Sequence, residues 1–511
     1  MYIAMSSDLL RVPRYLRSPG DDGYRTPTIE DAQRTLAVLG VRDAPSLGNS
    51  ASEVHTSALE AALHKVASRA TDQTASNKEF SHCVDRDGAE LTRKVTDASA
   101  SKLSWKKRIR HVTWAYFTLT MATGVWQMSY MKVYIPKLFD LYICANVNKV
   151  PYRFHGLDTI GTVVFLINIA LYLFIWGLLL ARFYHYPYTF KASFLHPTES
   201  LFVPACVVSF GTILINISQY GPENTGPWLM EAVGILFWID AVLAVLFSAG
   251  IYLVLWSTQT FTIAQMTPIW IFPAYPMLII GPHAGILSAK LEQARCLRII
   301  IGGTTIQGVG FLVSLMVYSA FIYRLMTQKL PKENIRPGMF VSVGPSGFTV
   351  AGIVNMAASA KRSFPSDFMG NGELAADVLR VVVDFAALWL WGLAIFFFII
   401  ASAAHWSAIG SGRMIFSMTW FSFVFPNTAL ITATFAIGKA FSCKAINIVG
   451  CVAILPLILM YFFVCYMMIR AILTHQILWP QKGEDRDEGG FEIHRVKADA
   501  EISDEINGTA V

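Results

Sequence analysis

The stretch "WFSFVFPNTALITATFAIGKAF", residues 420–441, is apolar enough to lie in a bilayer, yet it places Pro426 near its middle with Phe421, Phe423 and Phe425 just before it. A proline inside a helix removes the bond to the carbonyl four residues earlier, here Ser422, and bends the chain. In lipid such a break is tolerated only where it faces protein or water. The stretch therefore reads as a spanning helix broken at Pro426 and turned toward the interior of a bundle, a device that should recur along the chain.

The composition agrees with a membrane protein. Of 511 residues, 54% are hydrophobic and 15% charged, with a mean hydropathy of +0.46, far from soluble averages. Runs long enough to cross the hydrocarbon predict ten spans, near 112–132, 157–182, 198–220, 228–256, 268–289, 297–326, 338–359, 378–404, 413–438 and 445–470. Prolines interrupt mainly the odd ones: Pro204 in the third, Pro273, Pro276 and Pro282 in the fifth, Pro345 in the seventh, Pro426 in the ninth. The first span has Gly124 instead, and Pro456 in the tenth is an exception. Even spans share a polar residue in an apolar setting: Asn168, Asp240 and Asp384. This alternation predicts repeated two-helix hairpins, the interrupted member of each facing a common axis. The expected fold is thus an all-α integral membrane protein, five hairpins around a central pore with odd helices inside.

Charge divides the chain into three. Residues 1–100 carry 12 Lys/Arg and 14 Asp/Glu among many Ser, Thr, Gly and Pro, a mixture that cannot bury a core. "SEVHTSALEAALHKVASRA" offers Ser52 as an N-cap for one short helix there. Residues 481–511 hold 4 Lys/Arg against 9 Asp/Glu. The expected division is a disordered segment 1–104, a transport domain 105–472 and an acidic tail 473–511. Residues 101–480 then keep a surplus of thirteen positive charges, 25 basic against 12 acidic, hidden in the whole-chain +6. Such a surplus either anchors the protein to anionic lipid or concentrates anions at a pore mouth. The cluster Lys106, Lys107, Arg108, Arg110, His111 precedes the first span and predicts a cytoplasmic N-terminus. An even number of spans returns the C-terminus to the same side. No cleavable signal peptide is expected ahead of the first apolar run.

The first 110 residues apart, few features point to chemistry. Seven scattered cysteines show neither a disulfide framework nor metal-ligand spacing. His283 and His405 lie far apart, and no Gly-x-Ser-x-Gly, His-Glu-x-x-His or Walker motif occurs. No enzyme, metal, cofactor or nucleic-acid partner is expected. No Lys or Arg falls in the middle of a predicted span, so an anion must be held by dipoles: helix N-termini at the breaks and small polar side chains beside them. The candidates are Thr118, Thr120 and Thr123; Ser342, Ser346 and Thr349; Asn427, Thr428 and Thr432. Each has the alternative of bonding back to its own helix. Weak dipolar binding favours fast passage over tight capture.

These residues carry a resemblance. "RIRHVTWAYFTLTMATG", "YRFHGLDTIGTVVFLINIALYLF", "FPAYPMLIIGP", "FVSVGPSGFT" and "WFSFVFPNTALITATFAIGKA" are similar to the tellurite-resistance/dicarboxylate transporter family, in the voltage-dependent anion channel superfamily. That family includes plant slow anion channels, fungal sulfite pumps and yeast malic acid permeases. The resemblance covers about residues 105–472 and implies ten helices as five hairpins, often assembled as a homotrimer with one pore per subunit. It also implies that a phenylalanine just before the ninth-helix proline occludes the pore, which is Phe425 here. By α-helical spacing Phe421 shares a face with Phe425, and Phe423 turns toward a neighbouring helix. "FPNTALITATFAIGKA" looks most like the malic acid permease branch, implying a multi-pass plasma-membrane carrier of malate or C4-dicarboxylates, with lipid, small anions and protons as partners. The alternatives are a sulfite or small-anion efflux pump and a regulated anion channel with Ser18, in "RYLRSP", as a phosphorylation site. One departure is the insert 133–149, "VYIPKLFDLYICANVNK", whose flanks suggest either a short intron translated in frame or an amphipathic loop at the outer mouth.

Overall fold

The computed structural model describes residues 105–128, 157–221, 225–226, 228–406 and 414–479. The N-terminal helix expected after Ser52, Ser18, the insert 133–149 and the acidic tail from 480 onward lie outside the described residues. The compact helical unit begins at Arg108. Its longer helices are α1 (Phe117–Met128), α2 (Leu157–His185), α3 (Ala205–Tyr220), α4 (Trp228–Thr258) and α5 (Tyr275–Leu287). They continue as α6 (Gln293–Gln328), α7 (Gly344–Ser363), α8 (Gly372–Trp406), α9 (Phe425–Ala440) and α10 (Lys444–Leu473). No strand occurs among the described residues. Nine segments there are long and apolar enough to cross a membrane; α1, described over 12 residues, is too short to count as the tenth.

The helices form two populations. α1 packs on α3, α3 on α5, α5 on α7, α7 on α9, and α9 on α1, which closes a ring. Outside it, α2 lies on α1 and α3, α4 on α3 and α5, α6 on α5 and α7, α8 on α7 and α9, and α10 on α9. Burial follows: in an apolar 18-residue stretch of each of Glu199–Tyr220, Pro268–Leu287, Arg336–Ser363 and Met418–Ala440, 89%, 94%, 89% and 83% of the residues are buried. In the corresponding stretches of Gly161–His185 and Gly372–Trp406, on the outside, 17% and 22% of the residues are buried.

The inner helices share one local design. Four are preceded by a tighter segment, since Trp114–Tyr116, Pro268–Ala274, Arg336–Val343 and Met418–Phe423 are 3-10 helices, and a short α-helical turn, Glu199–Phe202, leads to Pro204 and α3. Pro276, Pro345 and Pro426 are each the second residue of the following α-helix. A missing N–H in the first turn forfeits no intrahelical bond, and the fixed φ suits a helix start. The expectation that Pro426 breaks and bends a running helix, freeing Ser422, is therefore corrected: the 3-10 segment ends at Phe423, and α9 begins afresh at Phe425. Among the described residues, only Pro282, in α5, and Pro456, in α10, lie inside α-helices, while Pro273 lies inside a 3-10 segment.

Two glycines let the ring close on α7. A Cβ on Gly347 would lie 2.7 Å from the Ala429 carbonyl carbon of α9, and one on Gly352 would lie 2.7 Å from that of Gly281 in α5. Backbone approach this close leaves room for no side chain.

One corner is tied by charge. α2 runs past its predicted end at 182 to His185 because Arg182 is not at a water boundary but fully buried. Its guanidinium donates to Glu199 Oε1 at 2.6 Å and to the Val112 carbonyl at 2.6 Å, and the Ser193 hydroxyl donates to the same carboxylate at 3.0 Å. The pair fixes the approaches to α1 and α3 against the end of α2. Arg108 and Arg110, from the basic cluster, pack over the rings of Trp479 and Tyr188.

Candidate functional site

The starts of three inner helices meet in an aromatic cluster. Tyr275 opens α5, Phe425 opens α9, and Phe348 lies in the first turns of α7. The Phe425 ring centroid is 5.1 Å from that of Phe348 and 5.4 Å from that of Tyr275, with Tyr275 and Phe348 at 6.2 Å. All three are buried, at separations typical of attractive tilted pairs. The stack extends through Phe272, 5.2 Å from Tyr275, to Phe202, 5.0 Å further on. The Tyr275 hydroxyl donates to the Val341 carbonyl, and Gly344 offers the space for it. The ring that opens α5 is thus pinned to the segment ahead of α7.

Phe421 and Phe423 do not share the cluster by helical spacing. Residues 418–423 are 3-10 and Val424 intervenes with φ −106°, so the 100° step from Phe421 to Phe425 does not apply. Phe421 is buried in the core. Phe423 packs on Phe340 at 5.3 Å and on His405 at 5.1 Å.

The polar candidates are spread along the inner helices and turn mostly to the backbone. Thr118 donates to Ala115 and Met418 carbonyls, Ser342 to Met339, Thr349 to Pro345, Thr428 to Val424, and Thr432 to Thr428. Thr120 bonds Ser209 Oγ at 2.8 Å and Thr123 bonds the Tyr461 hydroxyl at 3.0 Å, tying α1 to α3 and α10. Asn427 donates to the Phe423 carbonyl at 2.9 Å, across the junction of 3-10 segment and helix. Ser346 is buried in the first turn of α7. In α1, α3, α5, α7 and α9 the only Lys or Arg are Lys361, Arg362 and Lys439, all in last turns. Helix N-termini and hydroxyls are then what the starts of these helices offer an anion.

The isolated histidines are structural neighbours of this region. His283 lies buried in α5 with Nε2 3.2 Å from Ser218 Oγ, and His405 Nδ1 bonds the Ala401 carbonyl at 2.7 Å. Asp384 is half-buried, with Arg380 at 3.9 Å. No group of three metal-ligating side chains occurs among the described residues, where the cysteines are free.

Sequence reading missed three participants. Tyr275 and Phe348 are ordinary aromatics in apolar runs, and only the ring geometry brings them to Phe425. Gln307, buried on outer helix α6, accepts from Gly281 N at 3.0 Å and donates to Thr349 Oγ1 at 2.7 Å, linking α5 to α7 next to Pro282. Its signal was available: a single amide in an apolar even span, like Asn168.

The ring of interrupted helices, with an aromatic cluster at the starts of three of them, is that of a multi-pass membrane protein. Residues 111–469 match the voltage-dependent anion channel family, and the chain belongs to it. Over 390 residues, 76% of this chain and 85% of the relative, it is 30% identical to the malic acid transport protein of Schizosaccharomyces pombe. A putative malic acid transport protein of the same yeast is 28% identical over 76% of this chain and 85% of its own length. A sulfite efflux pump of Trichophyton rubrum is 26% identical over 60% of this chain and 80% of the pump.

Proposed function

We propose that this multi-pass membrane protein carries malate or related C4-dicarboxylates across the plasma membrane, through a pore closed at rest by Phe425. The observation that carries the reading is the placement of Phe425, wedged between Tyr275 and Phe348 where three inner helices begin. An apolar ring at that point closes a narrow path by excluding water. The N–H groups of the first helical turns then stabilise an anion once the ring withdraws. The substrate class rests on the similarity to the malic acid transport proteins.

In this reading ten helices form five hairpins, with α1, α3, α5, α7 and α9 lining the pore, both termini in the cytoplasm, and three subunits in the assembly. The transport domain is residues 105–472. Thr118, Thr120, Thr123, Ser342, Ser346, Thr349, Asn427 and Thr428 border the path. Labelled malate uptake and sulfite sensitivity, measured in cells lacking their own carriers, test it. Malate uptake without a sulfite phenotype is the expected result. Sulfite resistance without malate uptake would move the protein to the efflux-pump reading that the sulfite pump's similarity supports. Voltage-driven, proton-independent currents would make it a channel.

A further inference from the structure

The outer helix α4 carries one carboxyl in an apolar run, "FWIDAVLAVLF", residues 237–247. Asp240 is 2% exposed and turns inward, onto α3. Its Oδ2 lies 3.0 Å from the point where a Cβ on Gly211 would stand, with Ile279 of α5 closing the other side of that point. The missing side chain at Gly211 is what lets the carboxyl reach an inner helix. Oδ2 has no hydrogen-bond partner among the described residues.

The neighbours do not supply a counter-charge. Tyr172 of α2 donates its hydroxyl toward the Cys206 carbonyl. Cys206 of α3 donates its thiol to Val203, and His283 of α5 turns to Ser218 and the Phe237 ring. The other acidic groups near the ring are placed differently: Glu199 has Arg182 at 2.6 Å, and Asp384 has Arg380 at 3.9 Å. A charged oxygen with neither a cation nor a donor beside it is costly in such surroundings, so proton gain or loss at Asp240 is tied to how α3 and α4 pack. Releasing the proton requires the oxygen to find water or donors, and the obstacle is α3. That helix is bonded through Ser209 to the Phe117 carbonyl and to Thr120 of α1, so its position relative to α4 bears on the inner ring.

We propose that Asp240 binds and releases the proton that accompanies the transported anion, its charge state biasing the packing of α3 against α4. The step is one proton taken up by the carboxylate from the side of higher proton activity and given up to the other side, with no other bond made or broken. The inference rests on the anion-transport reading and adds the residue that couples it to protons.

The test uses the full chain in proteoliposomes, with labelled malate as probe. An inward proton gradient should drive wild-type malate accumulation, and Asp240→Asn should reduce it to the level seen without a gradient while malate–malate exchange continues. Accumulation by Asp240→Asn equal to wild type overturns the proposal, as does equal loss of exchange and accumulation in monodisperse protein. If Asp240→Asn does not fold, Asp240→Glu replaces it: a shifted pH midpoint of uptake supports the proposal, and an unmoved midpoint overturns it. Wild-type malate flux indifferent to the gradient also overturns it, and leaves the malate reading standing. Absence of wild-type malate flux sinks that reading instead, and the same comparison is then made with sulfite.

Discussion

The inner and outer helices are made from similar apolar residues but solve opposite problems. The outer ones, α2, α4, α6, α8 and α10, expose large side chains such as Leu173, Trp256, Met316, Trp389 and Leu459. Their backbones run on for about 30 residues, because lipid satisfies no free N–H or C=O. Four of the inner ones change from 3-10 to α, and α3 follows a separate short turn; these breaks are possible because the helices are buried in protein. Polarity follows the same division. Asn168, Asp240 and Gln307 sit on outer helices, yet each is at most 2% exposed, so these three polar side chains turn from the outer layer to the ring.

The strongest way to break this division is to spoil the charge pair that joins the two layers. Glu199→Gln leaves the Arg182 guanidinium without its carboxylate while still buried. Removing one partner of a buried pair costs about 3–5 kcal/mol. A sharp fall in melting temperature and in monodisperse yield is expected, with recovery in the double variant Arg182→Met/Glu199→Leu, which buries no charge. Equal stability of Glu199→Gln and wild type would show that the corner is held by packing alone.

The second test concerns the site itself. Phe425 makes two ring contacts, each worth about 0.5–1.5 kcal/mol beyond area. Losing both removes about 1–3 kcal/mol from the closed state, and at about 1.36 kcal/mol per decade Phe425→Ala should raise anion flux by roughly 5- to 150-fold at equal surface expression. Phe423→Ala, which empties a packing site against Phe340 and His405, should lower expression instead. Unchanged flux from well-expressed Phe425→Ala sinks the gate, and greater flux from Phe423→Ala alone moves it two residues back.

How much of this was written in the sequence depends on the range of the interaction. The positions of Pro204, Pro276, Pro345 and Pro426 pointed to interrupted spans because proline acts on its own backbone. Their consequence was misread as a bend, since composition does not distinguish a 3-10 segment followed by a new helix from one kinked helix. The same confusion spoiled the angular argument linking Phe421 to Phe425. The pairing of Arg182 with Glu199 joins two elements across a turn, and Arg182 looked like the end of a span because basic residues usually are. Tyr275, Phe348 and Gln307 depend on contacts between helices far apart in sequence, for which one chain offers no register. The hydroxyls were legible as polar groups on inner helices, but not as the mostly backbone-bonded groups they are.

Gln307 gives a smaller and sharper test of the layer contact. Gln307→Leu leaves the Gly281 N–H buried without its acceptor, at a cost of about 1–3 kcal/mol. Gln307→Glu keeps an acceptor for Gly281 while losing the donor to Thr349, and should lie between Leu and wild type in melting temperature. If Thr349→Val in addition to Gln307→Leu costs nothing further, the two act as one link, as the 2.7 Å bond implies.

The smallest effect is expected where the outer layer meets its surroundings. Trp389 on α8 is 81% exposed, and exchanging it for Leu swaps one apolar side chain for another without opening a cavity. Substitutions away from packing, caps and buried polar groups stay within about 0.5 kcal/mol, and lipid tails are as apolar as Leu, so they add no hydrophobic force between helices. Trp389→Leu should therefore leave melting temperature, expression and malate flux at wild-type values. The oligomer mass in detergent, measured beside them, tells whether this outer face meets lipid or another subunit. An unchanged mass and flux keep the division between a lipid-facing layer and a working ring. A change of mass would show that α8 is covered by a second copy, and the division would then have to be redrawn with α8 as an interface.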